Sequence, residues 1–159
     1  MAKHLLGKEV VAFLNERITA QVSELRKRGI VPKLCIIRVG AKPDDISYEK
    51  GAEKRCETLG VAVEKILLPE MVSKAELLEV IGRVNQDESI HGVLMLRPLP
   101  AHLKPIQCEI ENALDPAKDV DCMTDGSMAG VYTGRKIGFP PCTPQACMEI
   151  LDYYGIDCK

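Results

Sequence analysis

The sequence predicts an α/β fold, a three-layer α/β/α domain around a mostly parallel sheet of about four strands. Three observations carry that prediction. Helical and β-prone segments alternate from residue 8 to residue 96. The β-prone runs are short, apolar and bounded by turn residues. The connections between segments are only a few residues long, which suits crossovers in a parallel sheet.

Each element has its own warrant. Val10, Leu14, Ile18, Val22 and Leu25 recur at helical spacing, so residues 8–28 read as an amphipathic helix. Gly29 is placed to end it and Pro32 enforces the break. "KLCIIRVG" is a continuous β-prone run, as expected of a buried parallel strand. "AKPDD" opens a second helix over 44–59, closed by Gly60, and "VAVEKILL" alternates like a strand. Ser73 and Glu76 in "SKAE" have capping-box spacing, opening a helix whose inner side is Leu77, Leu78, Val80, Ile81 and Val84. "IHGVLML" is a further buried strand.

Beyond Pro98 the texture changes. "RPLPAHLKP" is proline-punctuated loop, residues 105–114 form a short helix, and 115–142 are loop with one brief helical turn at 126–130. Thr143 and Pro144 then read as N-cap and first helical residue of a helix through about Tyr154, stopped by Gly155. No internal repeat or low-complexity tract is present.

Bulk properties exclude several classes. Formal net charge is −2 among 28% charged residues, which argues against nucleic acid and anionic membrane as partners. Two Phe, four Tyr and no Trp leave little for base stacking. Apolar runs such as "GVLML" are far too short to span a bilayer, and the charged N-terminus lacks a signal peptide's apolar stretch, so a cytoplasmic location is expected. Seven scattered cysteines without a Cys-x-x-Cys pair read as reduced structural thiols. Cys142 and Cys147 lie five apart at a helix start, but a metal site would need two further ligands that the sequence does not offer; no metal is expected. His4, His91 and His102 show no ligand spacing and read as structural or surface residues.

In a parallel α/β sheet, ligand sites lie at the carboxyl ends of the strands. Three segments fall there: "VGAKPDDISY", "RPLP" and the loop holding "KDVDCMTDG". Tyr48 is either a surface tyrosine or a rim hydroxyl. Asp119 and Asp121 either line one pocket from alternate positions of an extended segment or belong to a solvated acidic loop. A carboxylate there can accept two parallel hydrogen bonds from arginine or from the guanidine-like edge of a heterocycle. Neither G-x-G-x-x-G, a Walker loop nor G-x-S-x-G occurs.

The order of "VGAKPDDISYEKGAEKRCETLGV", "HGVLMLRPLP", "DPAKDVD" and "PPCTPQACMEILDYYGID" resembles the bifunctional methylenetetrahydrofolate dehydrogenase/methenyltetrahydrofolate cyclohydrolase family. That resemblance implies a folate-binding catalytic domain over 1–143. It also implies that 144–159 lead toward a Rossmann-like domain, missing here, that holds NADP or NAD; no cofactor is expected on this chain alone. It implies tetrahydrofolate derivatives as ligands and a homodimeric full-length enzyme. The family's pterin-side tyrosine maps to Tyr48, and its pterin-gripping aspartate to Asp121. By the same resemblance Asp45, Leu96, Pro98, Leu99 and Pro100 belong to the substrate wall, with Cys142 and Thr143 at the cofactor edge.

Departures from the family pattern carry the functional expectation. The catalytic lysine of the family falls four residues after the tyrosine, which here is Ala52. Four residues advance a helix by about 400°, so position 52 shares the face of Tyr48, whereas Lys50 and Lys54 lie about 200° and 240° round. The glutamine that orients that lysine corresponds to Leu96, with Arg97 next. Asp45 stands for a serine, Cys122 stands for the glycine after "DVD", and "MTDGSMAG" is one residue longer. The expected activity is oxidation of 5,10-methylenetetrahydrofolate, with cyclohydrolase activity weak or absent; the alternative is a folate-binding, catalytically silent paralogue or regulatory subunit.

Overall fold

The computed structural model describes residues 4–158. Residues 1–3 and 159, the outer ends of the two predicted units, lie outside the described part. The chain opens with α1 (Gly7–Lys27), where Gly29 takes the left-handed conformation at φ 78° and the Ile30 N–H returns to the Leu25 carbonyl. Then follow β1 (Lys33–Val39), α2 (Pro43–Leu59), β2 (Ala62–Leu68), α3 (Lys74–Gln86) and β3 (Gly92–Met95). The sheet order is β2-β1-β3 and both pairings are parallel.

Central β1 is what the apolar run predicts: Cys35, Ile36 and Ile37 are fully buried. Alternation along the strand gives the sheet two unlike faces. Cys35, Ile37 and Val39, with Val93 and Met95, pack on Leu77, Val80, Ile81 and Val84 of α3. Ile36 and Arg38 face the other way, under the layer that contains α2. The Ser73 capping box is formed at both of its hydrogen bonds.

The remainder is short and irregular: a 3-10 turn (Lys104–Ile106), α4 (Gln107–Asn112), α5 (Asp125–Thr133) and α6 (Cys142–Tyr153). Three expectations change here. Among the described residues the sheet has three strands, and the fourth position is a single parallel bridge, Val93 to Asp119, with the Val93 N–H on the Lys118 carbonyl at 2.7 Å. Residues 115–119 close turns onto Asp115 and Pro116, so the chain meets the sheet edge at one point and leaves again. The brief turn predicted at 126–130 is a nine-residue helix, because the Thr124 hydroxyl caps it by accepting from the Ser127 N–H at 3.0 Å. Finally, α6 begins at Cys142 with Pro141 in the cap position, so Thr143 is inside the helix and is no cap. A proline is tolerated anywhere in the first turn, whose N–H groups have no intrahelical partner, so Pro144 fits the third position as well as the first.

Among the described residues no helix is long and apolar enough to cross a membrane.

Candidate functional site

The carboxyl end of β3, the start of α2 and the loop after the Val93–Asp119 bridge line a cleft of about 300 Å³. Its walls are Asp44, Asp45 and Tyr48 from α2, Leu94 to Arg97 from the end of β3, and Asp121. Local sequence explains the α2 wall. Pro43 fits the first helical position, and Asp44 and Asp45 follow in the first turn, where unpaired N–H groups favour negative charge. Tyr48 stands one turn further on, 61% exposed.

The next residue points into the protein. Glu49 is 5% exposed and accepts from Arg38 Nε at 2.7 Å, while the Arg38 guanidinium also donates to the Gly40 carbonyl. Lys65 on β2 approaches the same carboxylate at 3.7 Å. This buried pair ties α2 to the central strand just beside the cleft. It also breaks the apolar run of β1, which the sequence alone gave no reason to pair with Glu49.

On the opposite wall the two aspartates of "KDVD" take different roles. Asp119 is fully buried; its carboxylate accepts from the N–H groups of Asp121, Met123 and Thr124 at 3.3, 3.1 and 2.8 Å. Burial works to raise its pKa, but the hydrogen bonds from Thr124, Ser127 and Met123 outweigh it and hold the group below the ordinary carboxylate value. Asp119 therefore builds the loop. Neither of the two alternatives holds for the pair: the chain turns at 120–121 instead of running extended, Asp119 is buried, and of the two only Asp121 lines the cleft.

Asp121 is not alone there. Arg97 donates from Nη2 to its Oδ2 at 2.8 Å and from Nη1 to Glu111 Oε1 at 3.2 Å. In the sequence Arg97 stands out only as the neighbour of Leu96, and Glu111 does not stand out at all. The available signal was a basic residue opening "RPLP" among acidic segments. Asp44 joins the site unannounced as well, although "PDD" puts two adjacent carboxylates in one helical turn.

The structure thus brings Asp45, Tyr48, Leu96 and Asp121 to one cleft. Pro98 is exposed, and its carbonyl accepts from Lys42 Nζ at 3.1 Å. Leu99 and Pro100 are buried beneath the rim and do not line the cleft. Cys142 and Thr143 are exposed at the start of α6; the Cys142 thiol contacts the Val120 carbonyl at 3.4 Å. Burial, then the negative charges of Asp121 and Asp119, push that thiol's pKa up. Ala52 is half-buried and Lys50 and Lys54 are exposed, and none of the three is among the residues lining the cleft. Cys122 takes φ 53°, the left-handed conformation that glycine adopts most readily.

His91 and His102 serve the backbone: His91 Nδ1 accepts from the Lys33 N–H at 3.3 Å, and His102 Nε2 lies 3.0 Å from the Val72 carbonyl. Among the described residues no group of three or more His, Cys, Asp or Glu side chains is placed to hold a metal ion.

The family model described as the catalytic domain of tetrahydrofolate dehydrogenase/cyclohydrolase matches residues 5–121. The chain belongs to that family. The bifunctional protein FolD of Clostridioides difficile is 46% identical over 153 residues, covering 96% of this chain and 53% of that protein. FolD of Carboxydothermus hydrogenoformans is 44% identical, with 98% and 54% covered. The crystal structure of the bifunctional FolD of Campylobacter jejuni superposes with a TM-score of 0.90 at 34% identity, over 96% of this chain and 54% of that one. A FolD structure from Trypanosoma brucei, described as complexed with NADP cofactor and inhibitor, gives 0.83 at 27% identity, over 94% and 50%. The chain spans about half the length of the relatives it matches.

The strand-to-helix turns at this rim do not fit a dinucleotide pyrophosphate. β1 leaves through Gly40-Ala41-Lys42-Pro43, with one glycine and a proline that has no N–H to offer, and β3 leaves through Arg97-Pro98.

Proposed function

We propose that this chain is the folate-binding catalytic domain of a one-carbon enzyme that oxidises 5,10-methylenetetrahydrofolate to the 5,10-methenyl form and has lost most of the subsequent hydrolysis. Asp121 grips the amino-pyrimidinone edge of the pterin, with Tyr48 beside the ring and Leu96 and Asp45 on the wall. The nicotinamide dinucleotide that such an oxidation requires belongs to a second domain. Cys142 and Thr143 lie on the rim that would face it. Homodimeric assembly goes with the same proposal.

One observation supports the split between the two activities: one helical turn beyond Tyr48, on the same face of α2, stands a methyl group, Ala52, and the cleft wall after β3 carries Leu96. Oxidation needs mainly that the reacting carbons be held within reach. Opening the methenyl cation with water needs proton management, for which a placed acid–base group typically supplies 10²–10⁴-fold. Two hydrocarbon side chains supply none.

The test is a paired assay on the enzyme containing this domain: dehydrogenation of methylenetetrahydrofolate and hydrolysis of methenyltetrahydrofolate. Dehydrogenation with hydrolysis near the uncatalysed rate is expected. Hydrolysis as fast as in lysine-bearing relatives overturns the assignment, and ligand binding without either reaction makes the chain a silent folate-binding paralogue.

A further inference from the structure

We infer that Arg97 is a built-in competitor for Asp121, a guanidinium that occupies the carboxylate until a ligand displaces it onto Glu111. This rests on Asp121 being the pterin anchor. Arg97 and Asp121 both line the cleft and meet at 2.8 Å through a single N–H, from Nη2 to Oδ2. The heterocyclic edge expected on Asp121 presents the same kind of planar N–H pair as a guanidinium, so the two compete for the same lone pairs. Arg97 holds the advantage of a full positive charge.

Glu111 makes displacement feasible. Its carboxylate is oriented by Gln107, whose Nε2 donates to Oε1 at 2.8 Å, and it already accepts from Arg97 Nη1 at 3.2 Å. Side-chain exposure is 13% for Glu111 against 31% for Asp121 and 32% for Arg97. When a ligand takes Asp121, Arg97 therefore keeps a counter-ion that is less solvated than the one it gives up. The exchange breaks one arm of a two-armed bridge and strands no charge. A ligand with only one donor gains too little on Asp121 to drive that exchange, so Arg97 also selects for a paired donor edge.

The experiment titrates 5-formyltetrahydrofolate, and separately 2-amino-4-oxopteridine, into the protein and its variants by calorimetry, with circular dichroism to verify folding. Arg97→Leu is expected to bind both probes roughly 2- to 5-fold more tightly, the scale of one partly exposed ion pair. Arg97→Gln, which keeps a polar side chain, is expected to follow it and serves if the leucine variant does not fold. Glu111→Gln removes the alternative partner and is expected to weaken binding several-fold. An Arg97 that merely buttressed the loop would give weaker binding in all three variants. Unchanged or weaker binding by the Arg97 variants, with binding abolished in Asp121→Asn, overturns the competitor role and leaves the pterin anchor standing. Equal binding by Asp121→Asn and the unmodified protein, or no binding by any variant, overturns the anchor and the competitor together.

Discussion

The ion pair between Arg38 and Glu49 gives the sharpest energetic test of how the cleft is held. Both side chains are nearly buried, at 10% and 7% exposure, and meet at 2.7 Å. Replacing Glu49 with leucine leaves a guanidinium under α2 whose remaining hydrogen-bond partner among the described residues is the Gly40 carbonyl. Breaking a buried pair from one side typically costs about 3–5 kcal/mol, because the remaining charge is desolvated without compensation. Replacing Arg38 with methionine should cost less, about 2–3 kcal/mol, since Lys65 stands 3.7 Å from the Glu49 carboxylate and is solvated enough to move closer. Removing both together substitutes hydrocarbon for two charges and should stay within about 1 kcal/mol of the starting protein. In a domain of this size each kcal/mol shifts Tm by roughly 2–4 °C, so Glu49→Leu should melt roughly 6–20 °C lower. Urea unfolding followed by circular dichroism on the four members of the cycle measures this. If the losses of the two single variants simply add in the double variant, the pair is not coupled and the reasoning fails. Because Glu49 directly follows Tyr48, Glu49→Leu should also weaken folate binding more than the double variant does.

Three further outcomes are expected. Asp119→Asn should destabilise the protein by about 1–3 kcal/mol, since an amide cannot accept at both oxygens of that loop. The native carboxyl titrates below its unfolded value of about 3.9, so its contribution is complete above that pH and disappears as pH falls through the native value; acid unfolding of Asp119→Asn should therefore be less pH-dependent in that window. Alkylation at pH 8 should modify exposed Cys147 and Cys158 first and spare Cys35, which is fully buried and whose pKa burial pushes up to about 11; early Cys35 labelling in the folded protein would contradict this core. Ala52→Lys with Leu96→Gln should raise methenyltetrahydrofolate hydrolysis by roughly 10²-fold or more in the enzyme containing this domain, read as absorbance loss of the methenyl form, and no gain would refute the proposal that these two positions limit hydrolysis.

Local signals were sufficient wherever a single segment decides its own structure. The Ser73 capping box, the stops at Gly29 and Gly60 and the buried run of β1 depend on neighbours within one turn or on strand composition, and they form as the sequence implies. The start of α6 is not fixed by sequence, because Pro144 is compatible with several first-turn positions and so does not count residues.

What the sequence by itself determined is therefore the alternation of elements, the parallel α/β architecture and the set of segments that meet at one rim. It also determined that position 52, on the face of Tyr48, carries no amine, since helical periodicity is fixed by the backbone. Only the tertiary structure decided the charges. That Arg38 pairs with Glu49, that Asp119 turns inward while Asp121 reaches the cleft, and that Arg97 bridges Asp121 to Glu111 are choices among partners 11, 2 to 5, and 14 to 24 residues apart. A side chain's charge names what it can bind. Which carboxylate it meets, and how much water is left around the pair, is set by the packing of separate elements.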